Sequence, residues 1–263
     1  MGNKAINFWN GNKSPMRQCY ELETLTLALS DEYDIFSELT GYPLAEDEGA
    51  VFENGTDVLA TVAGNKKFEG KAFNEIKVPL CWGILGWRKV IVATERLDEF
   101  QCITEHELKQ KVMGVPKTWV DAELFRSNGY KVLEEGSLED VLGFIKDGRC
   151  DYMTLGINEA EDTLANYPYY REELALVSDM LVYYPFPLVY YVHPEETVLA
   201  DKLREKLQVL KDNGKLAELF LKHYGQYISS QHLEGTRLIH LNNPFIPQSY
   251  VDLVNPSFLY ELV

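Results

Sequence analysis

From Ile6 onward, short apolar runs alternate with amphipathic stretches of helix length. Ile6-Asn7-Phe8-Trp9 reads as a strand, Met16 to Leu29 as a helix and Tyr33 to Leu39 as a second strand. Asp57 to Ala63 follows as a third, after a Gly-bounded segment. In the middle of the chain, Lys111 to Pro116 has the character of a buried strand. Trp119 to Asn128 reads as a helix stopped by Gly129, and Tyr130 to Leu133 as the next strand. Two helix starts carry their own caps. Thr104-Glu-His-Glu107 is a capping box, and Ser137-Leu-Glu-Asp140 resembles one, opening a helix with Leu138, Val141, Leu142 and Ile145 on one face before Gly148. Cys150 to Leu155 supplies a further strand.

Two extended, β-branched or aromatic runs bracket this region, Arg88 to Thr94 before it and Leu181 to Val192 after it. They read as a pair of hinge strands. Glu195 to Asp212 and Lys215 to Tyr224 then have helical periodicity, separated by Asn213-Gly214. The tail from Thr236 to Val263 contains Pro244, Pro247 and Pro256 and reads as an irregular segment draped over one lobe. There is no internal repeat. The alternation as a whole predicts an α/β protein.

Composition narrows the class. The chain has 263 residues, 46% apolar and 25% charged, which is globular rather than disordered or fibrous. Forty-one acidic residues against 25 Lys and Arg leave a formal charge of -16, which repels phosphate backbones and argues against a nucleic-acid partner. The longest apolar run, Met180 to Val192, is shorter than the roughly 20 residues a spanning helix needs and is interrupted by Pro185 and Pro187. Met1-Gly2-Asn3-Lys4 leads into the first strand without a secretory pattern, so the protein is either cytosolic or an exported chain whose leader was removed. Cys19, Cys81, Cys102 and Cys150 have no CxxC or Cys/His spacing; they read as buried free thiols rather than a zinc site.

Three segments in order, Glu105-His-Glu-Leu-Lys-Gln-Lys-Val-Met-Gly-Val115, Ser137-Leu-Glu-Asp-Val-Leu142 and Asp147-Gly-Arg-Cys-Asp151, resemble the second lobe of amino-acid-type periplasmic solute-binding proteins, extracellular family 3, in a divergent branch. The likeness runs in detail from about Arg88 to Glu161. It implies a two-lobed, periplasmic-binding-protein-like type II fold with two hinge crossover strands. A discontinuous lobe I would comprise residues 1–91 and 187–263, and lobe II residues 92–186. It also implies a monomer in the periplasm, without a cofactor, that closes on a small polar solute in the interlobe cleft. Its partner would be an ABC transporter permease or a membrane sensor.

In such sheets ligands sit beyond the carboxyl ends of strands. Four loops therefore supply candidate ligand residues. They are Trp9, Asn10 and Lys13 after the first strand; Thr61 and Lys66 after the third; Lys117, Thr118 and Trp119 in the turn after Pro116; and Asn158 and Glu159 after the strand ending at Leu155. Arg88 joins them because its fork suits a carboxylate. Each has a plainer reading: Trp9 and Trp119 as packing, Thr118 as a helix cap, Asn158 and Glu159 as an N-cap and first-turn acid, and Arg88 as a salt bridge. The family places an arginine after a run of small hydroxyl residues to clamp an α-carboxylate, whereas Thr61-Val-Ala-Gly-Asn-Lys-Lys-Phe-Glu69 has none. Lys66 or Lys67 would have to substitute as a point charge, which puts an ordinary α-amino acid in doubt.

Neither the scattered histidines nor any G-x-S-x-G, P-loop or G-x-G-x-x-G turn points to catalysis. A dehydratase-like enzyme using Glu159 and Lys117 stands as one alternative, and a ligand-sensing component of a signalling system as another.

Overall fold

The computed structural model describes residues 3–11, 14–42, 45–229 and 236–254. Lys13, one of the candidates, lies outside them. The α/β class holds, with the chain dividing into two compact units, one of Met1–Trp82 with Pro187–Gln226 and one of Gly83–Phe186 with Tyr227–Val263.

The first unit contains β1 (Lys4–Trp9), α1 (Pro15–Leu29), β2 (Tyr33–Glu38), β3 (Val58–Val62), β4 (Asn74–Ile76), β10 (Leu188–Val192), α7 (Thr197–Asp212) and most of α8 (Lys215–Ser229). Its sheet runs β2-β1-β3-β10-β4, with β1 parallel to both β2 and β3 and with β10 antiparallel to β3 and β4. The start of α1 is set by Ser14, whose Oγ accepts from the Arg17 N–H at 3.4 Å, with Pro15 pre-shaped for the first turn. Buried tyrosines carry their hydroxyls to backbone acceptors: Tyr190 donates to the Glu21 carbonyl at 2.5 Å and Tyr20 to the Leu80 carbonyl.

The second unit contains β5 (Trp87–Ala93), α2 (Leu97–Gln101), α3 (Glu105–Leu108), β6 (Val112–Val115), α4 (Asp121–Ser127), β7 (Lys131–Glu134), α5 (Leu138–Lys146), β8 (Tyr152–Gly156), α6 (Ala160–Asn166), β9 (Leu174–Tyr183), β11 (Arg237–His240) and α9 (Gln248–Leu253). Its sheet order is β11-β9-β5-β8-β6-β7, in which β5 alone runs against its two neighbours. All five residues of β8 are buried, as expected of an interior strand covered on both faces. Both expected capping boxes are present, at Thr104/Glu107 and Ser137/Asp140. On α5, Val141, Leu142 and Ile145 are buried against Met153, Leu155 and Ile91.

Several expectations change. The run Leu181 to Val192 is two strands, because Pro185 and Pro187 cannot donate to a ladder; β9 ends at Tyr183 and β10 begins at Leu188. The strand at Arg88 lies inside the second sheet, hydrogen-bonded to β8 and β9, so the unit boundary falls at Trp82 instead of residue 91. The tail is not irregular throughout. Arg237–His240 forms β11 parallel to β9, and Tyr250 and Val254 are buried, which places this stretch with the second unit instead of with residues 187–226. Of the four cysteines, Cys81 and Cys150 are buried as expected, whereas Cys19 and Cys102 are exposed; all four are free thiols.

Candidate functional site

Apart from Arg88, at the start of the antiparallel β5, the described candidates lie at or just beyond the carboxyl ends of strands in each unit. In the first unit, Trp9 and Asn10 end β1, and Thr61 stands near the end of the neighbouring β3. These side chains are committed within the unit. The Trp9 indole N–H donates to the Thr40 carbonyl at 2.9 Å, and its ring meets Tyr42 at 5.7 Å. A Cβ on Gly11 would lie 2.3 Å from that ring, so glycine is what lets the indole fold over the turn. Asn10 is buried; its amide donates to the Gln18 carbonyl at 2.8 Å, and Gln18 returns a bond to the Asn10 carbonyl at 3.2 Å. Thr61 accepts from the Asn65 amide at 2.9 Å, and the Asn65 Oδ1 caps the single turn at Lys66–Phe68. Lys66 is exposed on that turn, and Lys67 is ion-paired with Glu48.

The second unit gathers more. β6 and β8 run parallel, so the turn Pro116–Trp119 and the turn Ile157–Glu159 leave the same edge of the sheet, and Arg88 at the start of β5 pairs with Gly156 at the end of β8. Arg88 is buried, its Nη2 3.1 Å from Asp121 Oδ1 and its Cζ 5.2 Å and 5.3 Å from the ring centres of Tyr184 and Phe186. Tyr184 donates its hydroxyl to the same Asp121 oxygen. Burial alone would lower the Arg88 pKa, but Tyr184, Asp121 and Glu159 outweigh it and raise it, so the guanidinium is charged at every working pH. Burial pushes the Tyr184 phenol well above its ordinary range, so it stays neutral and acts as a donor to Asp121. The carboxylate that Arg88 holds thus belongs to its own unit. Its Nε, fully buried, has no hydrogen-bond partner among the described residues.

Asn158 is the other unsatisfied group. It is 3% exposed, and neither its Oδ1 nor its Nδ2 has a partner among the described residues. A buried amide left in this way costs about 1–3 kcal/mol relative to one that is paired. The side chains of Asn158 and Glu159 both fold back over Gly156, where an added Cβ would meet Asn158 Oδ1 at 2.8 Å and Glu159 Oε2 at 3.3 Å. The edge therefore presents an amide with donor and acceptor unspent, a half-buried carboxylate and a buried cation.

The turn after β6 differs from expectation. α4 begins at Asp121 rather than Trp119, and its first turn already carries Asp121 and Glu123, which complement the helix dipole. Thr118 is not its cap. Its backbone sits at φ 74°, a region that β-branched residues avoid, and its N–H donates to Glu134 Oε1 at 3.3 Å. Lys117 and Thr118 are exposed, and Trp119 is half-buried, packed on the α5 side of the core. Asp121, Tyr184 and Phe186 escape the sequence reading. Asp121 looks like an ordinary first-turn acid and Tyr184 like part of an apolar run; only the fold shows that they share one guanidinium.

No protein-family model matches the chain, and no curated protein matches it by sequence. Solved structures do match in fold. The chain superposes on a probable amino-acid ABC transporter extracellular-binding protein, ytmK, from Bacillus subtilis with a TM-score of 0.60 at 15% identity, covering 85% of this chain and 99% of that one. An arginine 3rd transport system periplasmic binding protein from Legionella pneumophila gives 0.59 at 15% identity over 85% of this chain and 100% of that one. The Bordetella pertussis BvgS VFT2 domain gives 0.54 at 15% identity over 83% and 92%. The fold is that of the two-lobed periplasmic-binding-protein-like structures, as the resemblance implied.

Proposed function

We propose that this chain is a solute-binding protein that captures a small polar molecule noncovalently. The observation that carries this reading is the buried, unpartnered Asn158 amide beside Glu159 and Arg88 at the strand-end edge of the second unit. A ligand that both donates and accepts hydrogen bonds satisfies the amide. One that also carries an amine satisfies Glu159, which makes an amino-acid-like molecule or another small amine or carboxylate the fitting class. Lys117 and Thr118, exposed on the adjoining turn, are the further contacts on this edge. Trp9, Asn10, Thr61 and Trp119 support the fold around the strand ends, and Lys66 is the exposed cation of the first unit's edge. Amino-acid-binding and transport proteins among the structural neighbours support the same class; the corresponding partner is an ABC transporter permease in the membrane, with this chain in the periplasm. Among the described residues no helix is long and apolar enough to cross a membrane. The BvgS domain favours a second reading, ligand sensing, which differs in the partner and not in the site.

The test is a thermal-shift screen of ligand-stripped protein against amino acids, polyamines, small carboxylates, sugars and short peptides. Saturation at about 100 times Kd adds roughly 2.7 kcal/mol, a rise on the order of 5–10 °C at this size. Asn158→Ala should abolish that rise while leaving the Tm of the free protein unchanged or higher, because the amide has no bonds to lose. A silent panel, or a hit that Asn158→Ala, Glu159→Ala and Lys117→Ala all leave intact, overturns the reading. Recovery of the bound ligand unchanged by chromatography excludes turnover.

A further inference from the structure

A second constellation lies away from the strand-end edge, on the outer helices of the first unit. Cys19 and Glu23 stand four residues apart on α1, and His223 comes from α8, two hundred positions further along the chain. Cys19 Sγ lies 3.5 Å from Glu23 Oε1, and His223 Nε2 lies 3.1 Å from Glu23 Oε2. One ligand atom from each of the three comes within 4.8 Å of the others. The two helices are held in register beneath them. Tyr20, next to Cys19, meets the rings of Phe220, His223 and Tyr224 at 6.5, 5.6 and 5.1 Å and anchors its hydroxyl on the Leu80 carbonyl. The donors therefore come from a rigid surface, although Cys19 itself is exposed to solvent.

The geometry points to a binding site for a borderline divalent transition ion, of which Zn(II) is the representative, held by Cys19 Sγ, Glu23 and His223 Nε2 with solvent in the fourth position. In a tetrahedral zinc site, bond lengths of about 2.0–2.3 Å put neighbouring ligand atoms roughly 3.3–3.8 Å apart. Of the two spacings around Glu23, the 3.5 Å to Cys19 falls inside that range and the 3.1 Å to His223 just below it, each to a different carboxylate oxygen. A sulfur, nitrogen and oxygen set discriminates against Mg(II) and Ca(II), which take oxygen ligands. A cation already occupies this place: Lys222 Nζ sits 2.7 Å from Glu23 Oε2, on a side chain 62% exposed and free to swing into solvent. Lys222 and His223 both contact the same Glu23 oxygen, so the carboxylate is already oriented toward a cation from α8. On binding, the Cys19 thiol gives its proton to solvent and Lys222 departs. The site was hidden from the sequence because its third ligand, His223, comes from a helix two hundred positions away from Cys19 and Glu23.

The experiment uses the full chain, chelator-stripped and kept reduced, titrated with Zn(II) in a calorimeter and with Co(II) in a spectrometer. One equivalent of Zn(II) is expected, with a Co(II) spectrum showing a thiolate charge-transfer band. Cys19→Ser, at a solvent-exposed position, should weaken Zn(II) at least tenfold and remove that band, judged against its metal-free Tm. Glu23→Gln and His223→Gln should weaken it similarly, judged against their metal-free Tm. Lys222→Ala should tighten it several-fold by removing the resident cation. Cys102→Ser, at the other exposed thiol, should change nothing. Less than one equivalent bound, unchanged affinity in Cys19→Ser, or loss in Cys102→Ser overturns the assignment.

Discussion

Asp121 holds the Arg88 guanidinium at 3.1 Å with both side chains under a tenth exposed, so each charge is buried on the strength of the other. Such a pair is costly to break and cheap to replace. Asp121→Ala is expected to lower stability by about 3–5 kcal/mol, read from urea unfolding, because it strands a buried cation. The double variant Arg88→Met with Asp121→Leu should recover most of that loss. A double variant as unstable as the single one would show that Tyr184, not the ion pair, governs this part of the core.

Thr118 stands at φ 74° on an exposed turn. A left-handed conformation costs a β-branched residue roughly 1–2 kcal/mol, whereas glycine gives back about 0.4–1 kcal/mol through the freedom of its unfolded chain. Thr118→Gly should therefore raise stability by about 0.5–1 kcal/mol, a Tm gain of roughly 1–4 °C. A lower melting temperature by calorimetry would mean that the Thr118 side chain supplies something its contacts do not reveal.

Gly86 precedes β5 where the chain passes the backbone of Tyr184. An added Cβ would fall 1.9 Å from the Tyr184 carbonyl oxygen, and the neighbouring Tyr184 N–H donates to the Gly86 carbonyl at 3.2 Å. Relief requires moving backbone, so Gly86→Ala should cost at least about 2–3 kcal/mol. Gly41→Ala, at a glycine that like Gly86 lacks a left-handed φ but meets open space at its Cβ, serves as the control without the clash. Equal losses in the two variants would remove the steric argument.

Two surface carboxylates shape the acid limb of stability. Glu23, hydrogen-bonded by Lys222 and His223, and Glu99, hydrogen-bonded by Arg96 and Lys111, are each lowered from 4.5 to about 2. A depressed folded pKa stabilises the protein above the unfolded value and is lost as pH falls through the folded one. The contribution is thus complete above about pH 4.5 and drains away toward pH 2. Both groups are more than a third exposed, so solvent screens part of it. In chelated protein, Glu23→Gln and Glu99→Gln should flatten the fall of the urea midpoint over this window; an unchanged slope in the double variant would contradict the assignment. Glu21 works in the opposite sense, its carboxyl raised by burial against the pull of Arg17.

Much of the architecture was legible because periodicity and caps are local. The helix at α5 followed from Ser137, Asp140 and the spacing of Val141, Leu142 and Ile145, and β8 from the short extended stretch Cys150 to Leu155 that follows it. Breaks at Pro185 and Pro187 were visible, but the division of the run into β9 and β10 depends on which sheet each half joins. β11 was unreadable because four residues gain a ladder only from Met180–Tyr183. At the candidate site, position beyond strand ends was legible and chemical state was not. Nothing local to Arg88 reveals Asp121, and nothing local to Asn158 reveals that its amide lacks partners.

The pairing of β11 with β9 also sets an order of events during synthesis. β9 leaves the ribosome well before Arg237–His240 exists to cover Met180–Tyr183. At roughly 5–20 residues per second the delay is several seconds, during which an apolar strand edge stands open to other nascent chains. The first unit waits as well, since β10 and α7 arrive only after the whole of residues 83–186. Each unit is thus completed by a segment translated after most of the other, and a chaperone that shields strand edges has its main task in that interval.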